Sequence, residues 1–451
     1  MHKYLITLLF FLSSTASLAV KAETNILQQL FEAASVNDDQ LQIAKARLEE
    51  TKGRTQESFA RMFPSISVES SLSNTEIQTC NGPNCPSDSS TTQNRISLNQ
   101  PIYDPALHLG YKASRARSEQ MGYEYGIAYL GLFDRLLGQY LNILAESDRV
   151  RTIQAQRDTL NQQLKSIESR VEAGVASPID LAEVSASLQQ AEVNLIQSRI
   201  NLRVFYEGLS ESTKLPIKNL PPVRRDLEMP PLEHYDLEYW KEFALRENLS
   251  LLAARKNLEA AIDDRKQSSR RYLPTVNLFS SYSASEQEFP DTTSDLTQSQ
   301  VGISLNIPLF TGGSRVGEVK QERARVEQAR RQINLLETET KVIIPSLVRL
   351  ISQGEEFIDA ARQSMEAAQQ TVLQTETLYE AGTRSISELL AAYERRTQTE
   401  QNYYATLYSH IRNYADFYIR TAQLNDDQLA NFYQIADLTN FDADTNPLLG
   451  E

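Results

Sequence analysis

"ISLNQPIYDP" at Ile96–Pro105 and "ISLNIPLFTG" at Ile303–Gly312 are nearly the same phrase, written twice in one chain of 451 residues. Each alternates apolar with small polar side chains and carries a proline near its end, the pattern of a strand that stops at a junction. Aligning the phrases brings other pairs into line. "RMFPSISVESSLS" (Arg61–Ser73) meets "RYLPTVNLFSSYS" (Arg271–Ser283), and "EAGVASPIDL" (Glu172–Leu181) meets "EAGTRSISEL" (Glu380–Leu389). Order and spacing are kept, so the chain is a tandem repeat. Each half reads helix, strand, loop, strand, long helix, tight turn, helix.

The expected organisation follows from that alignment. Residues 1–22 form a signal peptide: Lys3 precedes an apolar run from Leu5 to Val20, and Val20-Lys21-Ala22 supplies small residues for cleavage. The first repeat spans 23–214, with strands near 63–74 and 93–103, a long helix over 105–173 and a return helix over 177–210. A Pro-rich linker occupies 215–235. The second repeat spans 236–424, with strands near 273–284 and 299–310, a long helix over 314–381 and a return helix over 385–424. A C-terminal segment and tail fill 425–451. No later run reaches the ~18 apolar residues of a spanning helix. The net charge of −14 argues against a nucleic-acid partner.

The long helices return on themselves at Gly174 and Gly382, and their apolar spacing is heptad-like. Val150, Ile153, Leu160, Leu164, Ile167 and Val171 run down the first, and Leu181, Val184, Leu188, Ala191, Leu195 and Leu202 carry the seam back. Val319, Val326, Ile333 and Leu347, interleaved with Ala329, Leu336, Ile343 and Leu350, form the second seam. Pro345 should kink that helix without ending it. Antiparallel coiled-coil packing of this kind suits a soluble bundle equally well.

The strands decide between the two. Ile66, Val68 and Leu72 oppose Ser65, Ser67, Glu69 and Ser71; Val301, Ile303, Leu305, Ile307 and Leu309 oppose Gly302, Ser304 and Asn306. One apolar and one small polar face over about ten residues suits a tilted strand crossing an outer membrane. Four strands cannot close a barrel, and hydrocarbon does not tolerate the bare backbone of an open edge. Several chains must therefore share one barrel. Tyr103, Phe310, Tyr282, Tyr272 and Phe63 fall near expected strand ends, where a barrel carries its aromatic girdle.

Cys80 and Cys85, in "CNGPNC", are the chain's two cysteines. In an exported protein they read as a disulfide stapling a loop tip, with free thiols as the other reading; a metal site needs more ligands than this loop offers. The four histidines match no metal-ligand spacing, and no nucleophile-elbow or phosphate-loop pattern occurs. The expectation is no enzyme and no cofactor.

"VGISLNIPLFTGG", "NLSLLAARKNLEAA" with "RYLPTVNL", "GVASPIDL" and "LYEAGTRSISELL" closely resemble the TolC-type outer-membrane factors, from about Asn25 to Leu429. The resemblance implies a mainly helical chain with a membrane β-barrel, assembled as a homotrimer. Twelve shared strands would continue into a periplasmic tunnel of twelve helices, with an equatorial domain that includes the linker. It implies the exit duct of a type I secretion or drug efflux system, with a periplasmic adaptor and an inner-membrane ABC or RND transporter as partners. Carried over residue by residue, the periplasmic gate is Asp180, Tyr379 and Arg384, and the constriction keeps one acidic position, Glu388, while the second is Ala391. The adaptor-docking tips are Gly174, Val175, Ala176 and Ser177 with Gly382, Thr383 and Ser385. Ser177 and Ser385 also read simply as helix caps, and Arg384 with Glu388 as an ordinary i,i+4 pair. A periplasmic coiled-coil adaptor or scaffold is the competing reading; such proteins need one hairpin and a membrane tether, against two hairpins and no tether here. An exported hydrolase is disfavoured by the missing motifs.

Overall fold

The computed structural model describes residues 26–76, 88–223, 229, 231–232, 234 and 236–435. The signal peptide, the Cys80–Cys85 loop and the last residues of the tail lie outside the described residues.

The first repeat contains α1 (Ile26–Asn37), α2 (Asp39–Ala60), β1 (Ser65–Thr75), β2 (Ser89–Tyr103), α3 (Pro105–Glu172) and α4 (Pro178–Thr213). The second contains α5 (Leu237–Glu247), α6 (Leu249–Arg270), β3 (Thr275–Phe289), β4 (Thr292–Asn306), α7 (Ser314–Ser352), α8 (Gly354–Glu380) and α9 (Ile386–Arg420), followed by α10 (Asp426–Tyr433). The helix expected before each strand pair is two helices in both copies. The breaks fall at Asp38 and Asn248, whose side chains accept from the Leu41 and Leu251 N–H groups at 2.8 and 3.2 Å. Each is a short polar N-cap before a buried leucine, so the signal was present in the sequence.

The strands form one antiparallel sheet in the order β1-β2-β3-β4, so the two repeats meet at the β2–β3 pair. Ile66 lies opposite Leu98, Leu98 opposite Ser280, and Ser280 opposite Val301, which puts the expected apolar positions on one face in register. Ser67 and Ser97 hydrogen-bond at 2.8 Å on the other face. On that face Phe279 lies across Gly302, where an added Cβ would meet the ring at 2.7 Å. Strands β2, β3 and β4 run longer than expected at their loop ends, because the Ser/Thr/Gln segments there keep the period of two. Strand β4 stops at Asn306, earlier than expected, since Pro308 has no N–H for the ladder. The longer β3 also moves Tyr282 away from a strand end: it pairs with Ile96 and Ser299 in mid-ribbon.

Helix α3 is 68 residues, about 100 Å long. Its barrel-proximal half packs on α2 and α6, its distal half on α4. Asp104 caps it through the Ala106 N–H at 2.9 Å, with Pro105 following in the first turn. The second long helix is not continuous. Helix α7 passes through Pro345 and ends at Ser352; α8 starts at Gly354 after Gln353. The junction keeps helical hydrogen bonds on both sides, the Gln353 N–H donating to the Arg349 carbonyl and the Phe357 N–H to the Gln353 carbonyl, both at 3.0 Å. The His410 ring of α9 lies so close to Gly354 that an added Cβ would sit 1.8 Å from Nδ1.

Two hydrophobic clusters are separated along the helices. The larger is equatorial and joins α1, the middle of α3, the end of α4, α5, Ile344–Ile351 of α7, the end of α9 and α10. Leu220, Val223, Met229 and Leu232 are buried in it, and the Tyr140 hydroxyl donates to the Pro221 carbonyl at 2.9 Å. The described residues of the expected equatorial linker, Leu220, Val223, Met229 and Leu232 among them, therefore pack on the equator as a strap. The smaller cluster lies toward the two turns and includes Leu160, Ile167, Val184, Leu188, Val372, Tyr379, Ile386 and Leu389. The expected α7 seam is buried at Val326, Ala329 and Leu347, whereas Leu350 is exposed and the core positions near it are Ile344, Val348 and Ile351.

Candidate functional site

The two helix turns have the same construction. Gly174 and Gly382 close α3 and α8 with φ of +74° and +73°, the left-handed geometry glycine accepts without strain. Three residues later Ser177 and Ser385 cap the return helices. Ser177 Oγ accepts from the Ile179 N–H at 3.1 Å, while Asp180 accepts from the Ser177 N–H at 3.3 Å. Ser385 Oγ accepts from the Glu388 N–H at 3.3 Å, and Glu388 accepts in return from the Ser385 N–H at 2.9 Å. Both are capping boxes, so Asp180 and Glu388 are equivalent positions of the duplication. The gate acid and the constriction acid expected from the resemblance are therefore one structural device used twice.

Arg384, in the turn before the Ser385 cap, hydrogen-bonds to Glu388 in the first turn of α9, and both side chains are exposed. The Ser385 backbone N–H first, and then Arg384, hold the Glu388 carboxyl below the usual carboxylate range. Among the described residues no hydrogen bond or ion pair within the chain joins Asp180 to Arg384 or to Tyr379. Tyr379 is buried in the distal cluster, with the Arg170 guanidinium 5.1 Å from its ring centroid. The turn residues Val175, Ala176 and Thr383 lie at the end of the hairpins; Val175 is exposed, and the Thr383 hydroxyl donates to the Leu378 carbonyl at 2.9 Å.

Two links here were not anticipated. The Ser387 hydroxyl donates to Glu183 Oε2 at 2.7 Å, joining α9 to α4 across the repeats. Glu183 lies one turn after Asp180 on the same helix face, and that spacing was the available signal. The Tyr393 hydroxyl donates to Glu376 Oε1 at 2.7 Å, tying α9 to α8.

At the opposite end, Ile66, Val68, Leu72, Val301, Ile303 and Leu305 are all exposed, and both β1 and β4 are sheet edges. An apolar, solvent-facing sheet with two bare edges is an incomplete wall. No described helix is long and apolar enough to cross a membrane. No group of three or more His, Cys, Asp or Glu that could hold a metal ion is found among the described residues.

An incomplete membrane wall carried on two tandem coiled-coil hairpins defines a channel-tunnel subunit. A family model for outer membrane efflux proteins matches residues 30–213 and 240–418, one match for each repeat, and the chain belongs to that family. The outer membrane protein TolC of Vibrio cholerae is 22% identical over 402 residues, covering 88% of this chain and 90% of that protein. The alkaline protease secretion protein AprF of Pseudomonas aeruginosa is 24% identical over 329 residues, covering 71% and 68%. The crystal structure of the outer membrane protein VceC of Vibrio cholerae shares the fold at a TM-score of 0.71 and 17% identity, over 88% of this chain and 96% of that one. The chain is an outer-membrane channel protein with a large periplasmic portion, in a family of channels and not of enzymes.

Proposed function

We propose that three copies of the chain close a twelve-stranded barrel in the outer membrane and a twelve-helix tunnel beneath it. The assembly serves as the passive exit duct of a tripartite type I secretion or drug efflux system. The observation that carries this reading is the four-stranded sheet with an exposed apolar face and two unpaired edges. Helix α4 supports it independently. Beyond the seam it packs on α3, it exposes a second apolar stripe at Val193, Ile196, Ile200 and Val204, spaced by three and four. A neighbouring copy would cover that stripe.

In the trimer, Arg384 and Tyr379 would engage Asp180 to hold the periplasmic end closed, and Arg384 would exchange Glu388 for an acid on the next protomer. Three Glu388 carboxylates near the axis would favour cations. The turns at Gly174–Ser177 and Gly382–Ser385 would be the docking surface for a periplasmic adaptor, which together with an ABC or RND inner-membrane transporter opens the gate. Their exposed, strain-free construction supports that role. The test is the state of the detergent-extracted protein. A heat-modifiable species of three times the chain mass is expected, with adaptor captured by crosslinks at cysteines placed beside Gly174 or Gly382. A water-soluble single subunit in the absence of detergent would overturn the proposal.

A further inference from the structure

Below the barrel, the end of α6 and the first turns of α7 enclose a cleft of about 550 Å³ lined by Arg265, Lys266, Ser269, Arg270, Leu273 and Arg323. Lys266 is paired with Asp263 at 2.7 Å. Arg265, Arg270 and Arg323 have no carboxylate at ion-pair distance among the described residues; the neighbouring Glu322 pairs with Arg325 at 2.6 Å. Three guanidinium groups thus share one cleft without a counter-charge, in a chain whose net charge is −14.

The duplication supplies an internal control. With Arg61 aligned on Arg271, the positions of Arg265, Lys266 and Arg270 correspond to Thr55, Gln56 and Ala60 in the first repeat. Superposing the helix starts by their N-caps, Asp104 and Gly313, two residues off the alignment of the repeated phrases, places Arg323 opposite Ser114. Thr55 and Ser114 touch hydroxyl to hydroxyl at 3.2 Å and seal the same joint between α2 and α3. In the first copy this joint carries a hydroxyl pair, and the arginines of the cleft beside it, Arg54, Arg61 and Arg117, are each paired with a carboxylate, whereas the second copy places two unpaired arginines at the joint. Packing does not demand the charges.

Position identifies what they meet. Leu309 and Phe310, 92% and 89% exposed, stand between the end of β4 and the start of α7 and mark the edge of the apolar band. Arg323 lies about 14 Å along α7 from its start, and Arg270 is the last residue of α6. A helical arginine's stem leans back toward its helix start, so Arg323 covers about half of that interval, and Arg270 starts nearer the headgroup layer. Guanidinium forks match the oxygens of a phosphodiester, and Leu273 offers an apolar flank. We infer that this cleft binds the phosphate headgroup of an anionic phospholipid in the periplasmic leaflet of the outer membrane, one per protomer. The inference rests on the membrane placement of the sheet and is independent of the gate.

The experiment uses the full-length protein in nanodiscs of phosphatidylethanolamine alone or mixed with phosphatidylglycerol, read by native mass spectrometry of retained lipid. The variant Arg265→Thr with Arg323→Ser copies the hydroxyl pair the fold already accommodates in its other half. Arg330→Gln with Arg331→Gln, lower on α7, controls for charge alone. Enrichment of phosphatidylglycerol on the wild type and the control is expected, with a fall of roughly ten-fold in the cleft variant. Heat-modifiable migration of all three proteins separates this result from a failure to assemble. Equal retention of the two lipids by the wild type, or undiminished enrichment in the cleft variant, would overturn the inference. Displacement of phosphatidylglycerol by millimolar inorganic phosphate would assign the cleft to a free anion and overturn it equally.

Discussion

Single glycines in this chain do opposite jobs. Gly382 has a positive φ and open space around its Cα, so Gly382→Ala is expected to cost about 1–2 kcal/mol through the backbone alone. Gly354 has ordinary helical geometry, where alanine is normally preferred, but a Cβ there would strike the His410 ring. Gly354→Ala should therefore cost about 1–3 kcal/mol by overpacking, and His410→Ala in the same chain should recover much of it. Thermal melts of the detergent-extracted protein check both; absence of rescue of Gly354→Ala by His410→Ala, or equal rescue of Gly382→Ala by it, would refute the distinction. His410 itself brings a pH dependence. Burial lowers its pKa below the ordinary imidazole value, opposed by the Glu355 carboxylate. The folded state then holds the proton less tightly than the unfolded chain. Stability should be complete above about pH 6.5 and fall as the pH drops through the lowered value. Melting temperatures measured across that window should decline in the wild type and stay flatter in His410→Asn.

At the scale of elements, the repeated phrases made both strand pairs, the long helices and the two turns legible, because each is a local pattern of period or capping. The Ser177 and Ser385 caps follow directly from their place after a glycine turn. The interruption at Gln353 was not legible. Pro345, the residue that announces a break, is accommodated within α7, while the interruption falls eight residues later at Gln353, where no proline marks it. The proposed gate rests on resemblance alone. Asp180 and Glu388 are capping-box acids by local sequence, and a role between neighbouring chains would add to that local one. That equivalence makes Glu388→Gln informative. Glutamine retains a carbonyl for the Ser385 N–H, so the helix should start unchanged and only the charge is lost. Single-channel recordings should show reduced cation preference; an unaltered reversal potential would remove Glu388 from the constriction. Arg384→Ala with Tyr379→Phe should raise the resting conductance if these residues hold the end closed, and an unchanged conductance would count against the gate.

For the whole molecule, the outward face of the sheet and the second stripe of α4 should matter only in assembly. Val301→Lys with Ile303→Lys places two charges on the apolar face, at roughly 2–4 kcal/mol each near the bilayer midplane. Loss of the heat-modifiable oligomer is expected from that variant. Ile200→Lys on α4, far from the sheet, should weaken the oligomer without altering the helical content seen by circular dichroism. Persistence of a full-strength oligomer in both variants would separate the apolar surfaces from the contacts between copies. The equatorial strap and α10 bind the repeats from outside the repeat alignment. Phe432 packs 5.4 Å from Phe133 by ring centroids, so the segment as far as Ile435 belongs to the core.

The interruption at Gln353 also gives the two hairpins unequal mechanics. Helix α3 runs unbroken from barrel to turn, a stiff strut. Helix α8, at 27 residues and about 40 Å, starts at a one-residue interruption still bridged by hydrogen bonds from the Gln353 and Phe357 N–H groups, and any bend at that joint is amplified along its length. A rotation of about 10° there would carry the Gly382 turn through roughly 7 Å. Spin labels on the two turns should report a broad distance distribution that narrows when the joint is stiffened by Gln353→Ala; a narrow distribution in the parent chain would rule the bend out.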